Sequence, residues 1–301
     1  MDLSLQTELQ TLVTRHGSPD GAAVRVLPNV IVMSAYATTL PIAEMTEPMF
    51  ALVAQGAKGV GLGEGVFDYS AGQYLIVSVD LPLQAHVAVA TQETPYLGIG
   101  ITLRPDAIAA LLLEVGSTPA TRSDPPGIAV SELTNELADP VVRLLRLLDR
   151  PADIPVLAPA IEREILWRLI NGPQGDIVRQ IGLADSRMAQ IGRAIRWIRG
   201  HYAQPMRIED LAAHVNMSVT SFHRHFRGVT SMTPIQYQKQ IRLQAARSRL
   251  MSTAADVAEV GFSVGYDSPS QFSREYRRLF GQPPGKDGKS LRRSQPLTQI
   301  A

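Results

Sequence analysis

Two heptapeptides fifty positions apart hold the residues best suited to chemistry. Residues 221–227 read Ser-Phe-His-Arg-His-Phe-Arg, and residues 271–277 read Gln-Phe-Ser-Arg-Glu-Tyr-Arg. Phe222 recurs as Phe272, Arg224 as Arg274, Phe226 as Tyr276, Arg227 as Arg277 and, further on, Pro234 as Pro284. A fixed offset of this kind means one supersecondary unit used twice. In each copy the aromatics are four apart and share one face of a helix, while the arginines are three apart and share another. Guanidinium groups outward and aromatics inward describe a helix that docks on an anion. The aromatics read as core residues rather than as base-stacking platforms for a single strand, because they fall at helical spacing.

The elements that must position these side chains are legible around them. Ile208 to Val215 is a short amphipathic helix, Asn216-Met217-Ser218 is a turn, and Ser218 is a good N-cap for the helix that follows. In the second copy Asp256 to Phe262 leads through Val264-Gly265-Tyr266-Asp267 to Ser268 in the cap position. The second turn is one residue longer, so the upstream offset is forty-nine. Helix, glycine- or asparagine-bearing turn, and capped arginine helix form a helix-turn-helix signature. Between the copies, Pro234 to Ser252 has no glycine or internal proline and predicts a helix just under about 30 Å long. Successive major grooves on one face of DNA lie roughly 34 Å apart, so one chain can set two helices in adjacent grooves, with bending making up the difference.

The run from Val264 to Pro284 resembles the second motif of the AraC-type transcriptional regulators, and residues 187–285 resemble their DNA-binding domain. The pattern departs after the prolines, where Gly285-Lys286-Asp287 stands in place of an aromatic-arginine pair. Early residues of a recognition helix reach base edges and later arginines meet phosphate. Thr220, His223 and Arg224 are therefore base-reading candidates in the first helix, with Arg227 on phosphate. Ser270, Gln271 and Arg274 take that role in the second, with Arg277 on phosphate. Ser218, Ser221 and Ser268 complete the candidate DNA-contacting set. The resemblance supports the same positions and implies a transcription regulator, activator or repressor, working on double-stranded DNA, with RNA polymerase as a candidate further partner.

Charge separates the halves of the chain. The net charge is +1, yet residues 186–301 hold 18 Lys and Arg against 7 Asp and Glu, while residues 1–185 hold 11 against 21. A basic module of +11 tied to an acidic one of −10 suits a polyanion-binding domain joined to one that stays off the polyanion. Two domains are expected, 1–185 and 186–294. The absence of cysteine excludes disulfides, thiolate metal sites and thiol switches. No secretory signal pattern or membrane-length apolar run is present, and a cytoplasmic protein is expected.

Residues 24–103 carry short strand-like runs cut by Pro and Gly, the pattern of a sandwich or barrel. Helical spacing follows at Pro105–Val115, Glu132–Leu148 and Ala158–Ile170. Met49 to Thr102 also resembles the N-terminal module of one AraC-type subgroup, through Val53-Ala54-Gln55-Gly56-Ala57-Lys58, Leu75 to Pro82 and Thr94-Pro95-Tyr96-Leu97. That likeness implies a cupin-like β-barrel with a helical extension. The expected class is thus α+β, the barrel preceding an all-α double helix-turn-helix domain.

Tyr36, Phe50, Tyr69, Tyr74, His86 and Tyr96 are candidates for lining a small-molecule effector site, since such sites are mostly apolar with a few polar tips. The alternative for each is core filler. Gly59 to Gly65 lacks the spacing of a nucleotide loop and reads as a glycine-rich hairpin. The only His-x-His pair, His223 and His225, sits on the first recognition helix, and His86 stands alone in the barrel region, so neither a metal nor another cofactor is expected. A metal-dependent cupin enzyme fused to a DNA-targeting domain is the rival reading, and it lacks donors. No catalytic constellation emerges. A homodimer is expected, with the helices between barrel and DNA-binding domain as the relay.

Overall fold

The computed structural model describes residues 2–18, 20–116, 126–184, 186–253 and 255–294. The chain divides into two compact units: residues 1–193 with 224–231, and residues 194–223 with 232–301.

The first unit has ten strands among its described residues: β1 Ala23–Leu27, β2 Val30–Ala35, β3 Ile42–Thr46, β4 Met49–Gln55, β5 Ala57–Leu62, β6 Gly65–Ser70, β7 Gln73–Val77, β8 Leu81–Val89, β9 Tyr96–Thr102 and β10 Ile128–Glu132. They form a six-stranded sheet, β1-β2-β9-β4-β7-β10, and a four-stranded sheet, β3-β8-β5-β6. All pairings are antiparallel. The glycine-rich stretch is the β5–β6 hairpin, turning at Gly63 with φ +61°.

Alternation decides which side chains meet the helices. Val30, Val32, Phe50, Leu52, Tyr74, Ile76, Leu97 and Ile99 share one core with α1 Leu3–His16, α2 Pro105–Val115, α3 Asn135–Arg146, α4 Ile154–Ile170 and α5 Gly175–Gly182. The helix expected at 132–148 begins later. Ile128–Glu132 is a strand paired to β7, from Ile128 opposite Val77 to Glu132 opposite Gln73, and α3 starts after Thr134, whose hydroxyl accepts from the Leu137 amide. Hydrogen bonds from a strand far upstream outcompete a local helical period that runs only one way.

The helical part comprises α6 Arg187–Gly200, α7 Ile208–His214, α8 Val219–Thr230, α9 Pro234–Ser252, α10 Val257–Ser263, α11 Pro269–Phe280 and α12 Pro284–Ser294. Helix α9 has the bounds expected from composition and opens with a full capping box between Thr233 and Gln236. The repeat extends to backbone conformation. Asn216 (φ +58°) and Gly265 (φ +94°), forty-nine apart, turn the two motifs, and Ser231 (φ +56°) and Gly281 (φ +76°), fifty apart, follow the two recognition helices. A left-handed residue at these points frees the chain to reverse without a hydrogen-bond gap.

The two turns differ in tolerance. A Cβ on Gly265 would overlap the carbonyl oxygen of Ala203, whereas Asn216 already carries a side chain. Gly265→Ala should therefore lower stability by roughly 2–4 kcal/mol, and Asn216→Gly should stay within about 1 kcal/mol of the parent. Thermal unfolding followed by far-ultraviolet circular dichroism checks both.

Candidate nucleic-acid interface

Helices α8 and α11 present the arginines. Each begins at a serine whose hydroxyl accepts from the amide three residues on: Ser221 N to Ser218 Oγ at 3.3 Å, and Gln271 N to Ser268 Oγ at 3.3 Å. These two hydroxyls thus hold helix N-termini, and their contribution to an anion site is to aim the remaining free amides outward. Phe222, Phe226, Phe272 and Tyr276 are all buried, which anchors the opposite face. Thr220, His223, Arg224 and Arg227 are exposed on α8, and Ser270, Gln271, Arg274 and Arg277 on α11; Ser221 is half-buried. Arg227, Arg274 and Arg277 make no ion pair among the described residues, so their charge is available to a ligand. Arg224 Nη2 lies 3.2 Å from His225 Nε2.

Arg278 was not singled out in the sequence. It is exposed, and its spacing of four from Arg274 places it on the same face of α11.

A polar network behind α11 fixes it. Glu275 accepts from Lys239 Nζ (2.9 Å), Tyr266 Oη (2.8 Å) and Gln271 Nε2 (3.2 Å). Gln271, a base-reading candidate, is thereby held along its own helix. Burial pushes the Glu275 carboxyl up, but Lys239, Tyr266 and Gln271 outweigh it and leave it below the ordinary glutamate value. At the other end Asp287 accepts from Arg247 Nε (2.9 Å) and Tyr276 Oη (2.8 Å), and Arg247 lies 4.6 Å from the Phe280 ring centroid. The Gly285-Lys286-Asp287 departure thus supplies a carboxylate that ties α12 to α9 and α11. Arg242 donates to Tyr202 O (2.6 Å), Gly265 O (2.6 Å) and Gln204 O (3.0 Å).

The structure separates the six effector-site candidates. Tyr69 and Tyr96 face the space between the sheets, are 3% exposed, and are coupled electrostatically to each other and to Glu44. Burial pushes both hydroxyls well above the ordinary tyrosine value. Tyr96 lies along β9 so that its hydroxyl occupies the place a Cβ on Gly98 would take. Phe50 and Tyr74 point the other way, into the helix-covered core, with ring centroids 5.2 Å apart. They are even-numbered in register with Leu52 and Ile76, and strand alternation sends them away from the inter-sheet space. His86 lies beside Asp68 above Gly59, on the face of the small sheet opposite Tyr69. Tyr36 follows β2 and is half-buried. Among the described residues no three His, Cys, Asp or Glu side chains converge as a metal site would require.

Residues 26–177 match the AraC-type transcriptional regulator N-terminus, and residues 211–290 match a helix-turn-helix domain. The chain belongs to the AraC-type transcriptional regulators. It is 27% identical over 149 residues to the transcriptional regulator ArgR of Pseudomonas aeruginosa, over 50% of this chain and 45% of that one. It is 29% identical over 111 residues to the transcriptional activator RhaS of Klebsiella pneumoniae, over 36% of this chain and 40% of that one. The AraC-type chain spans about half the length of the curated relatives it matches, or less. Those relatives are regulators, not enzymes. An apo ToxT variant from Vibrio cholerae superposes with a TM-score of 0.56 at 9% identity, covering 88% of this chain and 98% of that one. ToxT with a bound unsaturated fatty acid gives 0.53 at 8%, covering 86% and 93%. At this identity the likeness shows the fold alone.

The Glu275 network makes stability depend on pH with a definite sign. A carboxyl lowered in the folded state stabilises above its ordinary value, and that contribution is lost as pH falls through the lowered one. Glu275→Gln should therefore be less stable than the parent at pH 7, and the gap should close in acid below the glutamate range. Urea unfolding of both proteins across that pH span measures it.

Proposed function

We propose that this AraC-type chain binds double-stranded DNA sequence-specifically through α8 and α11 and regulates transcription there, as an activator with RNA polymerase as a partner. The observation that carries the reading is the pair of capped helices whose buried aromatics leave repeated arginines exposed at a fifty-residue offset. Arg224 and Arg274 read bases, as do Thr220, His223, Ser270 and Gln271, while Arg227, Arg277 and Arg278 meet phosphate. Helix α9 sets the spacing. Residues 186–294 form the DNA-binding domain and residues 1–185 the sensor, acting as a homodimer in the cytoplasm. The space between the sheets near Tyr69 and Tyr96 receives a small-molecule effector. Two buried phenols able to donate support this, as does the fatty acid held by a protein of the same fold. An effector acts by binding two arrangements of the protein unequally.

A genome-wide footprint of the full chain supplies the operator on which the reading is tested. On it Arg224→Ala and Arg274→Ala should each cost roughly 1–3 kcal/mol and relax preference at a few base pairs, while Arg227→Ala and Arg277→Ala weaken all sequences about equally. Selection from randomised operators measures both effects. Unchanged base preference in Arg274→Ala would remove that residue from the readout.

A further inference from the structure

Three polar groups share the space between the sheets, and none has a partner among the described residues. Tyr69 and Tyr96 are each 3% exposed, and neither hydroxyl makes a hydrogen bond there. A buried phenol left so costs roughly 1–3 kcal/mol, which a phenylalanine would avoid. The third group is the carboxylate of Glu44, and strand register puts it on that side. Residues opposite one another in a ladder share a face of the sheet. Glu44 is opposite Leu83 on β8, while Lys58 is opposite both Val87 on β8 and Tyr69 on β6. Leu83 and Val87 alternate in step along β8 and are both buried, so Glu44 and Tyr69 project to one side. The carboxylate is coupled electrostatically to both phenols.

The charge where these groups converge is negative. Burial holds both phenols protonated, so they enter as neutral groups with oxygens that can accept and electron-rich ring faces. Lys58 shares the face. Its place on β8 is four residues from that of Glu44, roughly 13 Å along the strand, and the two make no ion pair among the described residues. Strand β3 is an edge of the small sheet, and on it Glu44 is exposed, with Ile42 56% and Leu40, just before the strand, 84% exposed. The carboxylate therefore stands at an open edge flanked by apolar side chains. Across from it the large sheet offers an apolar floor, with Ala51 opposite Gly100, and Ile31 and Met49 lying against that glycine. An anion would be repelled by Glu44. A neutral ligand would desolvate the carboxylate without a counter-charge. A protonated amine suits all three groups, pairing with the carboxylate, donating to the phenol oxygens and meeting the ring faces.

We infer that the effector of this chain is a cationic amine with an apolar body, its ammonium held by Glu44 and the hydroxyl oxygens of Tyr69 and Tyr96. This rests on the effector reading above and adds the charge of the ligand and the groups that hold it.

Hexylamine, 1-hexanol and hexanoate share one carbon skeleton and differ in the charge of the head group. Each is titrated calorimetrically into the full chain, free of DNA, at pH 7, with thermal unfolding as a second readout. Hexylamine should bind at least about tenfold more tightly than the other two. Glu44→Gln should remove that preference and Glu44→Lys should turn it towards hexanoate. Both variants should keep the parent's unfolding midpoint, since Glu44 is exposed. Glu64→Gln removes another exposed carboxylate, at the β5–β6 turn, and should leave the preference unchanged. Tyr96→Phe should weaken hexylamine without altering the order of the three. Hexanol or hexanoate binding the parent as tightly as hexylamine, or hexylamine binding that survives Glu44→Gln, would overturn the amine while leaving the effector site standing. A parent that binds none of the three in the millimolar range would overturn both.

Discussion

Arg242 joins three carbonyl oxygens, those of Tyr202, Gln204 and Gly265, from the middle of α9. The first two belong to the connection before α7 and the third to the turn of the second motif. One planar guanidinium with five donors can satisfy such a set, and an ammonium cannot match its geometry. Burial lowers the proton affinity of this group, yet an arginine remains charged. The left-handed turn at Gly265, the seating of Tyr266 in the core and the start of α11 all depend on where that carbonyl points. Glu275 and Asp287 extend the same arrangement along α9, so the second recognition helix is set by a row of charged hydrogen bonds as much as by its aromatic anchors.

Much of the helical part was legible because its signals are local and doubled. Cap, turn and aromatic spacing repeat in Ser218 and Ser268, Asn216 and Gly265, Phe222 and Phe272, and each copy checks the other. The sheets were less legible, and Phe50 and Tyr74 show why. Their strands are apolar on both faces, as strands covered on both sides are, so alternation marks no inside. Only the register of β4 and β7 under the helices tells Phe50 from its neighbour Ala51. Strand β10 escaped for a related reason, since its partner is β7, far upstream. The neighbour that His86 finds in Asp68 emerges only from the pairing of β6 and β8 with β5.

The charge count also needs the structure to interpret it. Eighteen Lys and Arg in residues 186–301 suggest a broad basic surface. Lys239, Arg242, Arg247 and Arg249 all lie on α9 and are committed to Glu275, to backbone carbonyls, to Asp287 and to Ser263. They organise the scaffold. On α8 and α11, by contrast, Arg227, Arg274 and Arg277 make no ion pair among the described residues and stay exposed.

Arginine therefore holds two kinds of position, on α9 and on the recognition helices, and ionic strength acts on them differently. Partly buried guanidinium groups bonded to carbonyl oxygens are poorly screened by salt, because their partners are dipoles at contact distance. Guanidinium groups exposed on the recognition helices compete with dissolved cations for phosphate at every concentration. Raising the salt should strip the nucleic acid from the protein long before it loosens α9. The fold can thus release and rebind its ligand across a wide range of ionic strength without local unfolding, which makes occupancy, and not foldedness, the variable that salt adjusts.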